Sequence, residues 1–119
     1  MINLNIRGMN EVNDKVSKAM KLYPQEARKA MELSCITVEN KAKHLVPVDT
    51  GRLKSSITYK VSQSVYDITG TIGTDVEYAP YVELGTSRMN AQPFLVPALY
   101  GSKAEIKKIF EDVLNGIKL

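Results

Sequence analysis

One long stretch with helical periodicity, residues 10–44, limits the folds open to this chain more than any other feature. Its apolar side chains recur at steps of three and four and form one helix face: Val12, Val16, Met20 with Ala19, Tyr23, Ala27, Ala30, Val38, Ala42 and Leu45, with Ser34 filling the gap. Pro24 removes an amide from the ladder and crowds the preceding turn, but the stripe stays in phase across it, which favours one kinked helix. At ~1.5 Å per residue this helix is about 50 Å long, so we expect part of it to contact another subunit. Pro47 ends it by disfavouring helical geometry at Val46.

Alternation of apolar and polar residues predicts three strands. Residues 2–6 alternate, as do residues 57–62 and residues 66–72. The second and third runs read as an antiparallel hairpin that turns near Gln63 and Ser64.

The C-terminal part predicts short helices. "YAPYVELGTS" is typical of one or two helical turns closed by Gly85, and the polar loop "SRMNAQP" follows. A last amphipathic helix has apolar residues at helical spacing: Ile106, Ile109, Phe110, Val113, Leu114 and Ile117. It starts either after Gly101, with Ser102 and Glu105 as a capping box, or earlier, with Pro97 as its first residue. We favour the earlier start, with Gly101 tolerated.

These patterns together predict an α+β fold. A small antiparallel sheet packs against the long kinked N-terminal helix and the C-terminal amphipathic helix. The 119 residues suit one domain, residues 1–119.

Composition narrows the cellular setting. Sixteen Lys+Arg against thirteen Asp+Glu give a net charge of +3, but the two signs are interleaved, so nucleic acid is not implied. The single cysteine, Cys35, cannot form an internal disulfide and suits a reducing compartment. The first residues, "MINLNIRGMN", lack an apolar signal region, and no apolar run approaches the ~20 residues that span a bilayer. We therefore expect a soluble protein of the cytosol that has no membrane partner.

The chemistry-bearing residues do not assemble into a catalytic or metal site. Cys35 and His44 lie on different faces of the predicted helix, without further ligands. Ser55 and Ser56 lack a nucleophile elbow. "GTIGTD", residues 70–75, lacks the remainder of a phosphate loop, and close approach of another element explains its glycines better. We expect no enzymatic activity, no cofactor and no small-molecule substrate.

The lysines of the long helix leave one alternative open. They are spread around the helix among carboxylates, which favours a solvated face over a nucleic-acid footprint. A small basic nucleic-acid-binding module is therefore the second hypothesis. Salt would distinguish the two, because a complex held by phosphate contacts weakens steeply with ionic strength.

The motif "PVDTGRL" marks the corner between helix and sheet. It contains Pro47, Asp49, Thr50, Gly51, Arg52 and Leu53. Asp49 or Thr50 is placed to cap a short following helix, Pro47 fixes the entry, and Leu53 with Ile57 pins the turn to the core. Arg52 has the planar donor fork to bind Asp49, a helix C-terminus or a neighbouring chain.

Three motifs in this order resemble those of the head-tail joining and tail-completion proteins of long-tailed bacteriophages. "AKHLVPVDTGRLKSSI" and a hairpin come first, "YAPYVELGTS" second and "AQPFLVPAL" third, followed by the amphipathic helix. The similarity covers roughly residues 25–119. It implies a small α+β subunit with no enzymatic step, made in the bacterial host cytoplasm and built into the neck or tail end of the virion as a member of a ring, commonly six-fold.

The resemblance also implies partners and contact positions. The partners are other copies of the chain, in a hexameric ring formed on assembly, and other neck and tail proteins of the phage. The motifs and the polar loop supply the candidate interface: Tyr78, Glu83, Gly85, Thr86, Arg88, Pro93 and Phe94.

Overall fold

The computed structural model describes residues 2–6, where the backbone alone is described, and residues 22–47, 51–64 and 68–116, without the side chain of Leu114. Its strands are β1 (Ile2–Ile6), β2 (Thr58–Gln63) and β3 (Ile68–Thr74). Its helices are α1 (Pro24–Leu45), α2 (Arg52–Ser56), α3 (Ala79–Leu84), α4 (Leu95–Gly101) and α5 (Lys103–Asn115). The predicted α+β class, with a long N-terminal helix and a C-terminal helix, is confirmed.

Helix α1 begins where the sequence predicted a kink. Tyr23 has non-helical backbone angles (φ −140°, ψ 64°), and Pro24 occupies the first turn, where its missing amide costs no hydrogen bond. The helix therefore starts at Pro24 instead of continuing through it, and the predicted residues 10–21 lie outside the described part. The predicted C-terminal end is confirmed, since Val46 is extended (φ −68°, ψ 137°) before Pro47.

The three strands form one antiparallel sheet in the order β1-β3-β2. Thr58 pairs with Gly73 at one end of the hairpin and Gln63 pairs with Ile68 at the other. On the opposite edge of β3, Leu4 pairs with Ile72 and Ile6 with Gly70. The predicted first strand and hairpin are confirmed, while the predicted strand residues Tyr66 and Asp67 lie outside the described residues.

Helix α1 packs on the sheet through a close contact at Gly70. A Cβ atom built on Gly70 would lie 2.3 Å from Cys35 Sγ and 2.9 Å from Met31 Sδ, so a side chain at this position would push the helix away. This confirms the prediction that another element approaches a glycine in "GTIGTD". The core combines residues of α1, the sheet, α5 and the segments next to α2 and α4, and its largest fully buried side chains include Phe94, Phe110, Met31, Ile57, Ile68 and Ile72.

One end of the predicted apolar stripe was wrong. Leu45 is 49% exposed, whereas Val46, the first residue after the helix, is 3% exposed. The chain leaves helical geometry at Val46, and the extended backbone turns that side chain into the core instead of Leu45.

The C-terminal segment forms two helices where one was predicted. Helix α4 begins two residues before Pro97, and Ser102 separates it from α5. The Ser102 hydroxyl donates to the Ala98 carbonyl (2.7 Å), and Glu105 accepts from Lys41 (2.5 Å), so these residues do not form the capping box. The preferred single helix from Pro97 was therefore wrong. None of the described helices is long and apolar enough to cross a membrane.

Candidate functional site

The first motif begins at the turn into α2. Gly51 has a left-handed backbone (φ 77°) directly before the helix, a conformation that side-chain-bearing residues adopt at a cost. Leu53, 4% exposed, anchors the helix in the core as predicted. Asp49 and Thr50 lie outside the described residues, so their role as caps stays a prediction.

Arg52 ties this motif to the start of the second one. Its Nη1 and Nη2 atoms donate to the two carboxylate oxygens of Glu77, at 3.1 and 3.0 Å, and its guanidinium lies 5.6 Å from the centre of the Tyr78 ring. The hydrogen bond from Arg52 lowers the pKa of the Glu77 carboxyl and raises that of the guanidinium. The sequence analysis predicted that Arg52 binds Asp49, a helix C-terminus or a neighbouring chain. It did not predict the contact with Glu77.

Two hydroxyl groups make a second connection between α2 and the end of β3. The Oγ atom of Ser56 and the Oγ1 atom of Thr74 are 2.5 Å apart, and Thr74 Oγ1 accepts the amide of Val76 at 3.1 Å. Because Thr74 is buried, this pair satisfies polar groups that would otherwise lose their water. Helix α2 is thus fixed both to the sheet and to the segment that enters α3.

Glu83 joins the second motif to the third. Its side chain is 4% exposed, and its Oε1 accepts the amides of Phe94 (3.1 Å) and Leu95 (2.8 Å), with Val96 at 3.4 Å from Oε2. The first amides of a helix lack partners within it, and a carboxylate supplies both an acceptor and a favourable charge there.

Two of the predicted contact positions are therefore corrected. Glu83 and Phe94, which is 0% exposed, lie inside the subunit and not on its surface. In the sequence Glu83 has the appearance of a solvated helix residue, because the amides that it binds are eleven to thirteen residues further on. The sequence feature that could have revealed this contact is a glutamate followed, eleven to thirteen residues later, by the start of a helix.

The loop between α3 and α4, residues 85–94, is closed by backbone hydrogen bonds. At its base the amide of Gln92 donates to the Val82 carbonyl (2.8 Å), and nearer its tip the amide of Thr86 donates to the Met89 carbonyl (2.8 Å). Gly85 has a positive φ of 79°, and a Cβ there would lie 2.7 Å from the Ala91 nitrogen, so glycine is required on both counts.

The remaining predicted contact positions differ in exposure. Thr86, Arg88 and Pro93 are exposed, while Tyr78 and Gly85 are half-buried. Arg88 lies at the tip, where its amide donates to Thr86 Oγ1 (3.2 Å). The structure thus presents Arg88 on a loop whose backbone is held in place.

The residues considered in the sequence analysis as candidate nucleophiles or metal ligands are Ser55, Ser56, Cys35 and His44. The Ser55 and Ser56 hydroxyls donate to the carbonyls of Arg52 and Leu53. Burial, together with Glu32 and Glu39, raises the pKa of the Cys35 thiol to about 12. His44 is exposed, and no group of three or more metal-ligating side chains occurs in the part of the chain that the structure describes.

The chain matches a known protein family over much of its length. Residues 10–85 match the HK97-gp10-like family, described as "Bacteriophage HK97-gp10, putative tail-component". Searches against curated proteins and against solved structures give no match. The matched range contains the first motif and the second as far as Gly85, so the rest of the loop, the third motif and α5 lie beyond it.

Proposed function

Since the chain belongs to the HK97-gp10-like family of bacteriophage tail components, we propose that it is a structural subunit of the virion that acts at the head-tail junction or at the tail end. In this role it forms an oligomeric ring, hexameric on assembly, and contacts other neck and tail proteins. Assembly takes place in the cytoplasm of the bacterial host.

The observation that carries this proposal is the way in which the three motifs are connected. Arg52 with Glu77 fixes the first motif to the second, and Glu83 with the amides before α4 fixes the second to the third. A subunit that docks into a ring needs fixed angles between its elements, because each error in angle is repeated around the ring. Loops held on such a scaffold are where contacts are usually made, which favours the loop of residues 85–94.

We further propose that residues 1–119 form one domain without enzymatic activity, cofactor or small-molecule substrate. The buried cluster draws on α1, the sheet, α4 and α5, which supports one shared core. The nucleophile candidates are engaged in structure: the thiol is buried, and both serine hydroxyls donate to backbone carbonyls.

Inactivation of the gene in its own phage or prophage tests the proposal. We expect filled heads and free tails that fail to join, or tails of abnormal length, seen by electron microscopy and restored by the gene supplied in trans. Immunogold labelling should place the protein at the neck or tail end. Normal infectious particles without the protein would exclude an assembly role.

A binding experiment with DNA tests the alternative of a nucleic-acid-binding module. Binding that falls steeply between about 50 and 200 mM salt would favour that alternative. We expect no such binding, because the carboxylates Glu32 and Glu39 pair with Arg28 and Lys43 along α1.

A further inference from the structure

Strand β2 has an unpaired edge. It lies at one side of the sheet, in the order β1-β3-β2, and each of its residues pairs with β3 on its other side. Within the described part of the chain, residues 58–62 make no further hydrogen bond and no ion pair. The backbone amides and carbonyls that point away from β3 are therefore open to a further strand.

The features that usually prevent edge pairing are scarce on β2. Its sequence, TYKVSQ, contains no proline, and its consecutive pairs with β3 leave no bulge. Its one charged side chain is Lys60, in the middle of the strand. Because a regular edge with so little protection is a template for another strand, we expect a contact with a further chain at β2.

The two faces of β2 differ in burial. Tyr59 and Val61 are half-buried and pack against the core, on the side of the sheet that α1 covers. The exposed side chains of the opposite face are Thr58, Lys60 and Ser62. An added strand continues both faces only if its own half-buried side chains also lie on the α1 side.

A second copy of β2 meets this requirement when it runs antiparallel. A two-fold axis perpendicular to the sheet puts both α1 sides together, and the two longest registers are centred on Lys60 or on Val61. The first sets two ammonium groups directly opposite each other, which is destabilising. The second sets no like charges opposite each other, so Lys60 selects it. Its pairs are Tyr59 with Gln63, Lys60 with Ser62, and Val61 with Val61.

We propose that the free subunit forms a two-fold dimer in which the β2 edges of two copies pair antiparallel, centred on Val61. The contact joins the two sheets and covers both unpaired β2 edges. It uses the same surface twice and closes on itself, so it goes beyond the proposed function and differs from a head-to-tail ring contact. A single strand edge is smaller than a standard interface, which takes about 800 Å² from each partner, so we expect a micromolar Kd.

Charges placed at Ser62 test the register. Ser62 is exposed and faces Lys60 of the other copy, so Ser62→Glu adds opposite charges to the dimer and Ser62→Lys adds like charges. Thr58→Glu and Thr58→Lys, on the same exposed face but beyond the paired residues, are the matched controls. Unchanged circular dichroism and melting would verify the fold of all four variants.

Sedimentation velocity over roughly 1 to 500 µM covers the affinities of weak contacts. We expect the parent to form dimers and nothing larger. Ser62→Glu should dimerise at least about tenfold more tightly than Ser62→Lys, because each charge acts twice in a two-fold contact. The two Thr58 variants should differ by less than about threefold, since position 58 has no charged residue opposite it.

A thiol at position 61 tests the two-fold axis. In Val61→Cys the two new side chains lie directly opposite each other, with the Cβ atoms about 5 Å apart, so mild oxidation should link most of the dimer. The native Cys35 is buried, and the parent should not be linked. Thr58→Cys should be linked much more slowly than Val61→Cys.

A parent that stays monomeric throughout this range would overturn the dimer. A dimer whose Kd does not respond to the charge at Ser62, or one that oxidation of Val61→Cys does not link, would overturn the β2 contact. Assemblies larger than dimers would overturn the two-fold pairing. The proposed function stands or falls separately, with the presence of the protein in purified virions.

Discussion

At the scale of single residues, Glu83 connects two parts of the described chain through its buried carboxylate. A carboxylate that is removed from water loses its hydration, and backbone amides that it accepts replace part of that loss. Glu83 satisfies the amides of Phe94 and Leu95 and so fixes where α4 begins. One buried charge thus determines the spacing of two helices and of the loop between them.

We predict that Glu83→Gln destabilises the fold by about 1–3 kcal/mol, because the amide group loses the charge and one of its two acceptor positions. Urea denaturation followed by circular dichroism measures the effect. Asp75→Asn, at an exposed position, is the control and should stay within ~0.5 kcal/mol of the parent. Equal midpoints for the two variants would refute the structural role of Glu83.

Substitutions at Gly51 measure the cost of backbone strain without a change in packing. Its φ is 77°, and a Cβ built there has no heavy atom within 4 Å, so a substitution meets strain but no collision. We predict that Gly51→Ala costs about 1 kcal/mol, and that Gly51→Asn costs less, because asparagine tolerates left-handed geometry better. Thermal melts in which Asn is no better than Ala would contradict the backbone explanation.

Cys35 makes stability depend on alkaline pH. The folded thiol has a pKa of about 12, whereas an unfolded one ionises near ~8.5, so the unfolded state releases a proton that the folded state retains. Stability should therefore fall as pH rises above about 8.5, by up to ~1.4 kcal/mol per pH unit. In Cys35→Ala this part of the slope should vanish. The free energy of unfolding of the parent and of Cys35→Ala, measured from pH 7 to 10, tests this prediction. Parallel curves for the two proteins would show that the thiol does not cause the fall in stability.

The sequence predicted the interaction partners of individual side chains less well than any other part of the site. The glycine at position 51, the buried Leu53 and a bidentate ionic contact of Arg52 follow from local chemistry. Glu77 as the partner of Arg52 does not, because the two are twenty-five residues apart and meet only through the hairpin between them. Glu83 was misplaced for the same reason.

At the scale of elements, the break between α4 and α5 depends on tertiary contacts. Lys41 Nζ donates to the Gly101 carbonyl at 2.8 Å and pairs with Glu105, so α1 holds the end of one helix and the beginning of the other. The apolar periodicity of the last helix predicted its packing face, with Ile106 and Phe110 buried. It did not predict the break, since Ala98 and Leu99 stay in phase across it.

Helix α5 contributes to the core through Phe110. The side chain is 2% exposed, and we predict that Phe110→Ala destabilises the protein by about 3–5 kcal/mol through lost burial and a residual cavity. Lys108→Ala, at an exposed position of the same helix, should change stability little. A small effect of Phe110→Ala in urea denaturation would mean that α5 is not part of the subunit's core.

At the scale of the whole molecule, the described elements leave the polar tip of the loop exposed to solvent. The molecule measures 54 × 23 × 22 Å along its principal axes, and Arg88 lies exposed on a backbone that is fixed at its base. A charge reversal at Arg88 should leave the core intact and change which protein surfaces the subunit binds.

We predict that Arg88→Glu folds with a melting temperature near that of the parent but fails to join heads to tails, because it places an opposite charge in an assembly contact. Complementation of a gene-deleted phage, with electron microscopy of the lysate, measures this. The control is Lys108→Glu, which makes the same reversal on α5. Normal yields of infectious particles with Arg88→Glu would exclude the loop tip as a contact.

The closure of the loop has a consequence for how such a protein diversifies. The Gln92 amide and the Val82 carbonyl form its base through backbone atoms, and Thr86 and Met89 form the inner turn in the same way. Mutations at Ser87, Arg88 and Asn90 therefore leave these bonds in place, so the sequence of the tip can change while the backbone that presents it is kept.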